Sequence, residues 1–168
     1  MSKLQNLISK SQNSAFYRNV LNFILARSIP FNAPHHFRIL AIGEGIAKVL
    51  LPFRKANLNH VKGIHACALA TLCEYTTGLA LLTIISESQY RIILKSLKME
   101  YHYQAKMDVT ANYNLTQSFI YDNISVPLLK NDAVFIDLEI KVTDQLNNQI
   151  CTGFITWQIK KWTKVKSN

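Results

Sequence analysis

The 168-residue sequence predicts an α+β fold, an antiparallel β-sheet wrapped around one long central helix, with an extra helix at the N-terminus. Three observations predict it. The segment Ile64 to Ile85 is apolar nearly all round and carries a single carboxylate, Glu74. Later segments alternate apolar and polar residues, the pattern of strands with one buried face. Residues 3 to 27 repeat apolar residues at three- and four-residue steps, as an amphipathic helix does.

Taken in order, the N-terminal helix would pack Leu4, Leu7, Ile8, Ala15, Phe16, Val20, Phe23 and Ile24 against the main body. Pro30 and Pro34 then end helical structure and mark a loop. Phe37 to Phe53 reads as a hairpin or bent strand pair, with Gly43-Glu44-Gly45 as its turn. After a second loop, Arg54 to Lys62, comes the apolar segment. It is long enough to span a bilayer, and equally it could be a helix covered on every side by a sheet. The downstream pattern decides for the second. From Leu97 to Val109 the odd positions are mostly apolar, in Val134 to Val142 the even ones, and in Cys151 to Ile159 the odd ones again. Asn147-Asn148 supplies a tight turn between the last two strands, and residues 111 to 121 read as a further strand. A membrane span leaves these strands unexplained.

Composition bounds the function. The chain is large enough for one domain with a real core. Its 49% hydrophobic content leaves apolar surface for oligomerisation. Nineteen Lys and Arg against ten Asp and Glu give a net charge of +9, a field suited to nucleic acid, an anionic membrane surface or a polyanionic small molecule. The basic residues are spread out, with one short cluster at Lys160, Lys161, Lys164 and Lys166, and no nucleic-acid-binding signature accompanies them. Cys67, Cys73 and Cys151 form no CxxC pair or disulfide framework, which fits a reducing cytoplasm. No signal-peptide pattern is seen at the N-terminus, and the histidines show no metal-ligand spacing.

The residues Asn59-His60-Val61-Lys62-Gly63-Ile64-His65-Ala66-Cys67, followed by Glu74, carry the chemistry. This stretch resembles the Asn-x-x-x-Gly-x-His-Gly-Gly…(Asp/Glu) motif of hotdog-fold thioesterases, the group similar to phenylacetyl-CoA thioesterases. Ile29-Pro30-Phe31-Asn32 and Leu51-Pro52-Phe53-Arg54 look like a little-characterised branch of that superfamily. The resemblance spans residues 29 to 160 and is specific only at the central motif. It implies a hotdog domain over 29–168, preceded by a helical extension over 1–28. It also implies roles: the N–H of Ala66 polarises a thioester carbonyl, Asn59 positions water or carbonyl, and Glu74 acts as base or nucleophile. His65 lies between them as a site residue or a helix cap. One departure is plain, since the motif's Gly-Gly is Ala66-Cys67 here.

Elementary geometry sharpens this. Glu74 lies nine residues beyond His65, so on one helix it sits roughly 13 Å further along and about half a turn round. It cannot serve an oxyanion at its own helix start. A second subunit must complete the site if the two cooperate. The expectation is an acyl-CoA or acyl-carrier thioester hydrolase, with no cofactor beyond the coenzyme A of its substrate. It would act as a homodimer or a tetramer of such dimers, without nucleic acid or a transmembrane segment. The other readings are a non-catalytic acyl or lipid binder and, less well supported, a hotdog dehydratase. For Glu74 the structural alternative is a buried acid paired with Arg or Lys.

Overall fold

The computed structural model describes residues 3–165; Lys166 of the basic C-terminal cluster lies outside them. The N-terminal helix is in fact two, α1 (Lys3–Gln12) and α2 (Ala15–Ser28). Ser14 breaks it by taking an extended conformation, φ −134° and ψ 118°, and its Oγ accepts the Tyr17 N–H at 3.5 Å. Serine competes for backbone hydrogen bonds in this way, which makes it a cap rather than a helix interior residue. Arg18 completes the corner by donating to the terminal carbonyls of α1, Ser11 O at 3.1 Å and Gln12 O at 3.4 Å. The corner lets Ile8 on α1 and Leu21 and Leu25 on α2 bury together.

The sheet has six antiparallel strands in the order β1-β2-β4-β5-β6-β3. They are β1 (Arg38–Gly43), β2 (Ile46–Leu51), β3 (Tyr90–Tyr101), β4 (Val109–Asn114), β5 (Ala133–Asp144) and β6 (Gln149–Lys161). The β1–β2 turn needs Gly45, whose φ is +71°. The β5–β6 turn is built by Asp144, whose Oδ1 accepts the N–H groups of Leu146 and Asn148 at 2.9 Å, with Asn147 in the left-handed region at φ 63°. At one sheet edge, α1 and α2 pack on β1, and Asn22 Oδ1 takes the Ile39 N–H at 2.9 Å. At the other, β3 pairs with β6 on its inner side and with no strand of the described residues on its outer side.

Two strand expectations change. The alternation over 97–109 is not one strand: β3 begins at Tyr90 and stops at Tyr101, where the N–H groups of His102 and Tyr103 both turn to Ile150 O. The following stretch supports the central helix instead, since Ala105 O accepts the Ile64 N–H at 2.9 Å. The strand expected over 111–121 ends at Asn114. Thr116 then caps a helical run, its Oγ1 accepting the Phe119 N–H at 3.2 Å, and helix continues through a π-turn at Tyr121–Ser125 to Lys130.

The central helix α3 (Ala66–Leu82) is shorter than the apolar segment that predicts it, and among the described residues no helix is long and apolar enough to cross a membrane. It lies in the concavity of the sheet against β2, β4 and β5. Leu72, Val49, Leu51, Val142, Ile155 and Ile159 form the fully buried centre of the core. Enclosure is incomplete, contrary to the expectation of cover on every side. The face with Cys67, Ala70, Thr71, Glu74 and Gly78 borders a cavity. This is the hotdog architecture expected from the sequence.

Candidate active site

One buried asparagine sets the entry to α3. Asn57 is 1% exposed and fully bonded: its Oδ1 meets His35 Nδ1 at 3.0 Å, and its Nδ2 donates to His35 O and Pro52 O. Its backbone O accepts the His65 N–H at 2.8 Å. Asn57 therefore ties the Pro30–His35 turn, the end of β2 and the start of α3 into one polar knot. Nothing in the sequence marks it apart from its loop neighbours, because its importance comes only from burial.

Asn59 closes the next turn. Its Oδ1 accepts the N–H groups of Val61 at 3.1 Å and Gly63 at 3.0 Å, and Lys62 sits at φ 59°. The side-chain oxygen is thus committed to the loop, whereas its Nδ2 has no acceptor among the described residues. His65 is the N-cap of α3, with its Nδ1 accepting the Cys67 N–H at 3.0 Å. That fixes Nδ1 as the unprotonated nitrogen. Ala66 holds the first free amide: its O accepts from Tyr101 Oη at 3.1 Å, and its N–H finds no acceptor among the described residues. An unbonded N–H at a helix start, aligned with the helix dipole, suits a developing oxyanion. Asn59 and Ala66 line one concavity of about 320 Å³ together with Tyr101.

Glu74 is elsewhere. It borders a separate cavity of about 610 Å³ between α3, α2 and β3. The i, i+4 spacing of Cys67 and Thr71, and of Ala70, Glu74 and Gly78, puts these residues on one stripe of the helix. Trp157 forms the floor; its Nε1 donates to Thr77 Oγ1 at 3.0 Å, and a Cβ on Gly78 would come within 3.2 Å of its ring. Glycine at this one point lets the helix pass close over the indole. Leu25, Phe31 and Leu94 supply apolar walls. The Glu74 carboxylate makes no ion pair or hydrogen bond with any described residue, and burial holds its pKa above the usual 4.5. The paired-acid alternative is therefore not what the structure contains. Beside it, burial and then the Glu74 charge push the Tyr75 phenol up, while Tyr75 stacks on Phe37 with ring centroids 5.1 Å apart.

Cys67 is exposed at the cavity's edge, and Cys73 and Cys151 are buried. Contact with Cys151 and burial push the Cys73 thiol far up, so it is an inert part of the core. Within one chain, then, the expected site residues fall into two groups: Asn59, His65 and Ala66 at the helix start, and Glu74 in the apolar cavity. The groups do not share a cavity.

Comparison with known proteins adds the following. A family model described as "Domain of unknown function (DUF4442)" matches residues 18–159. Curated proteins give no match. Among solved structures, a Pseudomonas aeruginosa protein of unknown function, described as a probable thioesterase, is 20% identical, with a TM-score of 0.78 over 85% of this chain and 95% of that one. A Staphylococcus aureus thioesterase variant is 16% identical, with a TM-score of 0.63 over 78% and 98%. The E. coli PaaI protein from the phenylacetic acid degradation operon is 10% identical, with a TM-score of 0.60 over 92% and 94%. At these identities the likeness is one of fold.

Proposed function

The chain belongs to that DUF4442 family, and from this premise we propose that it hydrolyses acyl-CoA or a related acyl thioester at a site shared between two subunits. The observation that carries the reading is the unpaired Glu74 carboxylate at the wall of an apolar cavity of about 610 Å³. Leaving a carboxylate there without a partner costs stability, which a purely structural role does not justify. The volume suits an acyl group. The structural relatives described as thioesterases point the same way.

The chemistry follows from the two groups. Glu74 takes a proton from water, and the oxygen attacks the thioester carbonyl. The carbonyl π electrons move to oxygen, and the Ala66 N–H of the other subunit donates to that oxyanion, with Asn59 Nδ2 positioned beside it. Collapse re-forms the carbonyl and breaks the C–S bond. The thiolate leaves and takes the proton from the Glu74 carboxylic acid, giving a free carboxylic acid product. His65 keeps Cys67 N–H occupied, so Ala66 N–H is the amide left to the substrate. Since Glu74 and Ala66 of one chain line different cavities, the site needs a second copy.

The test is a panel of acyl-CoA thioesters assayed with wild type and Glu74→Ala. Turnover should be lost in the variant while its circular dichroism and melting remain those of a folded protein. Equal rates would remove Glu74 from the mechanism. A second reading, an acyl binder without turnover, draws on Cys67, which stands at the cavity edge where the motif has glycine. It requires a ligand that raises Tm and is recovered unchanged.

A further inference from the structure

A third concavity, of about 880 Å³, opens where α2, the Pro30–His35 turn and the ends of β1 and β2 meet. Arg27, Arg38, Arg54 and His36 line it, and no Asp or Glu does. None of the three guanidiniums forms an ion pair or hydrogen bond with a described residue; Arg27 lies over the Phe23 ring at 5.5 Å. Three like charges held around a concave wall raise the local potential and favour an anion with more than one charge. Guanidinium geometry matches phosphate oxygens in particular.

This basic cavity adjoins the apolar one. Asn32 and Tyr75 line both it and the apolar cavity that holds Glu74. Asn32 is only 7% exposed, and its carboxamide makes no hydrogen bond with any described residue. The buried side-chain atoms without a partner among the described residues are Glu87 Oε2 and Arg91 Nε, so the Asn32 carboxamide keeps access to the cavities it lines. Its place at the junction leaves it free to bond a ligand that spans both.

We infer that the two cavities form one site for an acyl chain joined to a phosphate-bearing head. The head lies among Arg27, Arg38 and Arg54, and Asn32 hydrogen-bonds the polar linker between head and chain. The link to an acyl thioester rests on the function proposed above; the preference for phosphate rests on the arginines alone.

Calorimetry on the full chain tests this with three non-hydrolysable thioethers sharing one acyl chain: the coenzyme A form, the 4′-phosphopantetheine form and the phosphate-free pantetheine form. Affinity should fall in that order, and the difference should shrink as salt is raised. Arg38→Gln combined with Arg54→Gln should weaken the coenzyme A form about tenfold or more and leave the phosphate-free form within about twofold. Asn32→Ala, or Asn32→Ser if the first variant does not fold, should weaken all three alike. Equal affinity of the wild type for the coenzyme A and phosphate-free forms would overturn the inference, as would equal losses for all three in the arginine variant. Phosphopantetheine binding as tight as coenzyme A would assign the head to a carrier protein rather than a free nucleotide and would uphold the site. Absence of thioester turnover beside arginine-dependent binding would overturn the catalytic reading and leave this one standing.

Discussion

Glu74 makes stability and chemistry oppose each other at a single residue. Burial raises its pKa above 4.5 in the folded chain, while the unfolded chain releases the proton near 4.5. Between those two values the folded state holds a proton that the unfolded state has lost, so stability falls as pH rises through the window and stays lower above it. Glu74→Gln should therefore raise Tm at neutral pH and flatten its dependence on pH above 4.5, although on the proposed mechanism it abolishes turnover. Melting curves collected across that range check it, and a variant whose curve runs parallel to wild type would show that the carboxylate carries no such cost. If Glu74 is the base, wild-type rate should rise with pH through the same raised pKa, since only the carboxylate form accepts a proton. Asn57 is the opposite case, a buried polar residue whose bonds are all made. Asn57→Ala leaves His35 O and Pro52 O without their donor. A loss of roughly 2–4 kcal/mol is expected in urea unfolding.

At the scale of elements, the β1–β2 hairpin depends on Gly45. Its φ of +71° disfavours any side chain, and an added Cβ would meet Leu115 O at 2.7 Å. Gly45→Ala should cost about 2 kcal/mol, read from the urea midpoint at unchanged slope. How far such elements could be read in the sequence depended on whether one periodicity ran unbroken. β5 and β6 were legible because Val134 to Val142 and Cys151 to Ile159 keep a single alternation against one buried face. β3 was not, because a bulge between Leu94 and Ser96 shifts the phase by one: Ile92 and Leu94 face the cavity before it, Leu97 after it. Alternation counted from Leu97 therefore missed the first half and ran on past the end. Ser14 hid the α1–α2 corner for a related reason, since the apolar steps continue across it. The helical run after Thr116 carried a readable signal in Ile120, Ile124 and Leu128, four residues apart, which the strand reading passed over. The site divides in the same way. Asn59, His65, Ala66 and Glu74 lie on one continuous motif. Asn32, Arg27, Arg38 and Arg54 come from separate elements and meet only in the fold.

The whole molecule has asymmetric edges. The β1 edge is covered by α1 and α2, and Asn22 occupies one of its N–H groups. The twelve-residue β3 edge is uncovered among the described residues, and Ile93 and Leu94 on it are more than a third exposed. A long uncovered edge with exposed apolar residues invites pairing with a second chain, and pairing along β3 would also cover the open face of α3 beside it. A dimer of twice the 19.2 kDa chain mass is then expected in sedimentation. The proposed composite site makes a stricter demand than dimerisation alone. Glu74→Gln removes the base from one half of each site. Asn59→Asp keeps the Oδ1 that holds the 59–63 turn but removes the Nδ2 donor from the other half. Each variant alone should be inactive. Refolding them together in equal amounts should give about half mixed dimers by random pairing, each with one site drawn from two intact halves. Activity should return to about a quarter of wild type, because half the dimers carry one good site out of two. A site contained within one subunit cannot be rescued in this way, so mixtures as inactive as their components, with mixed dimers verified by mass, would confine the chemistry to a single chain.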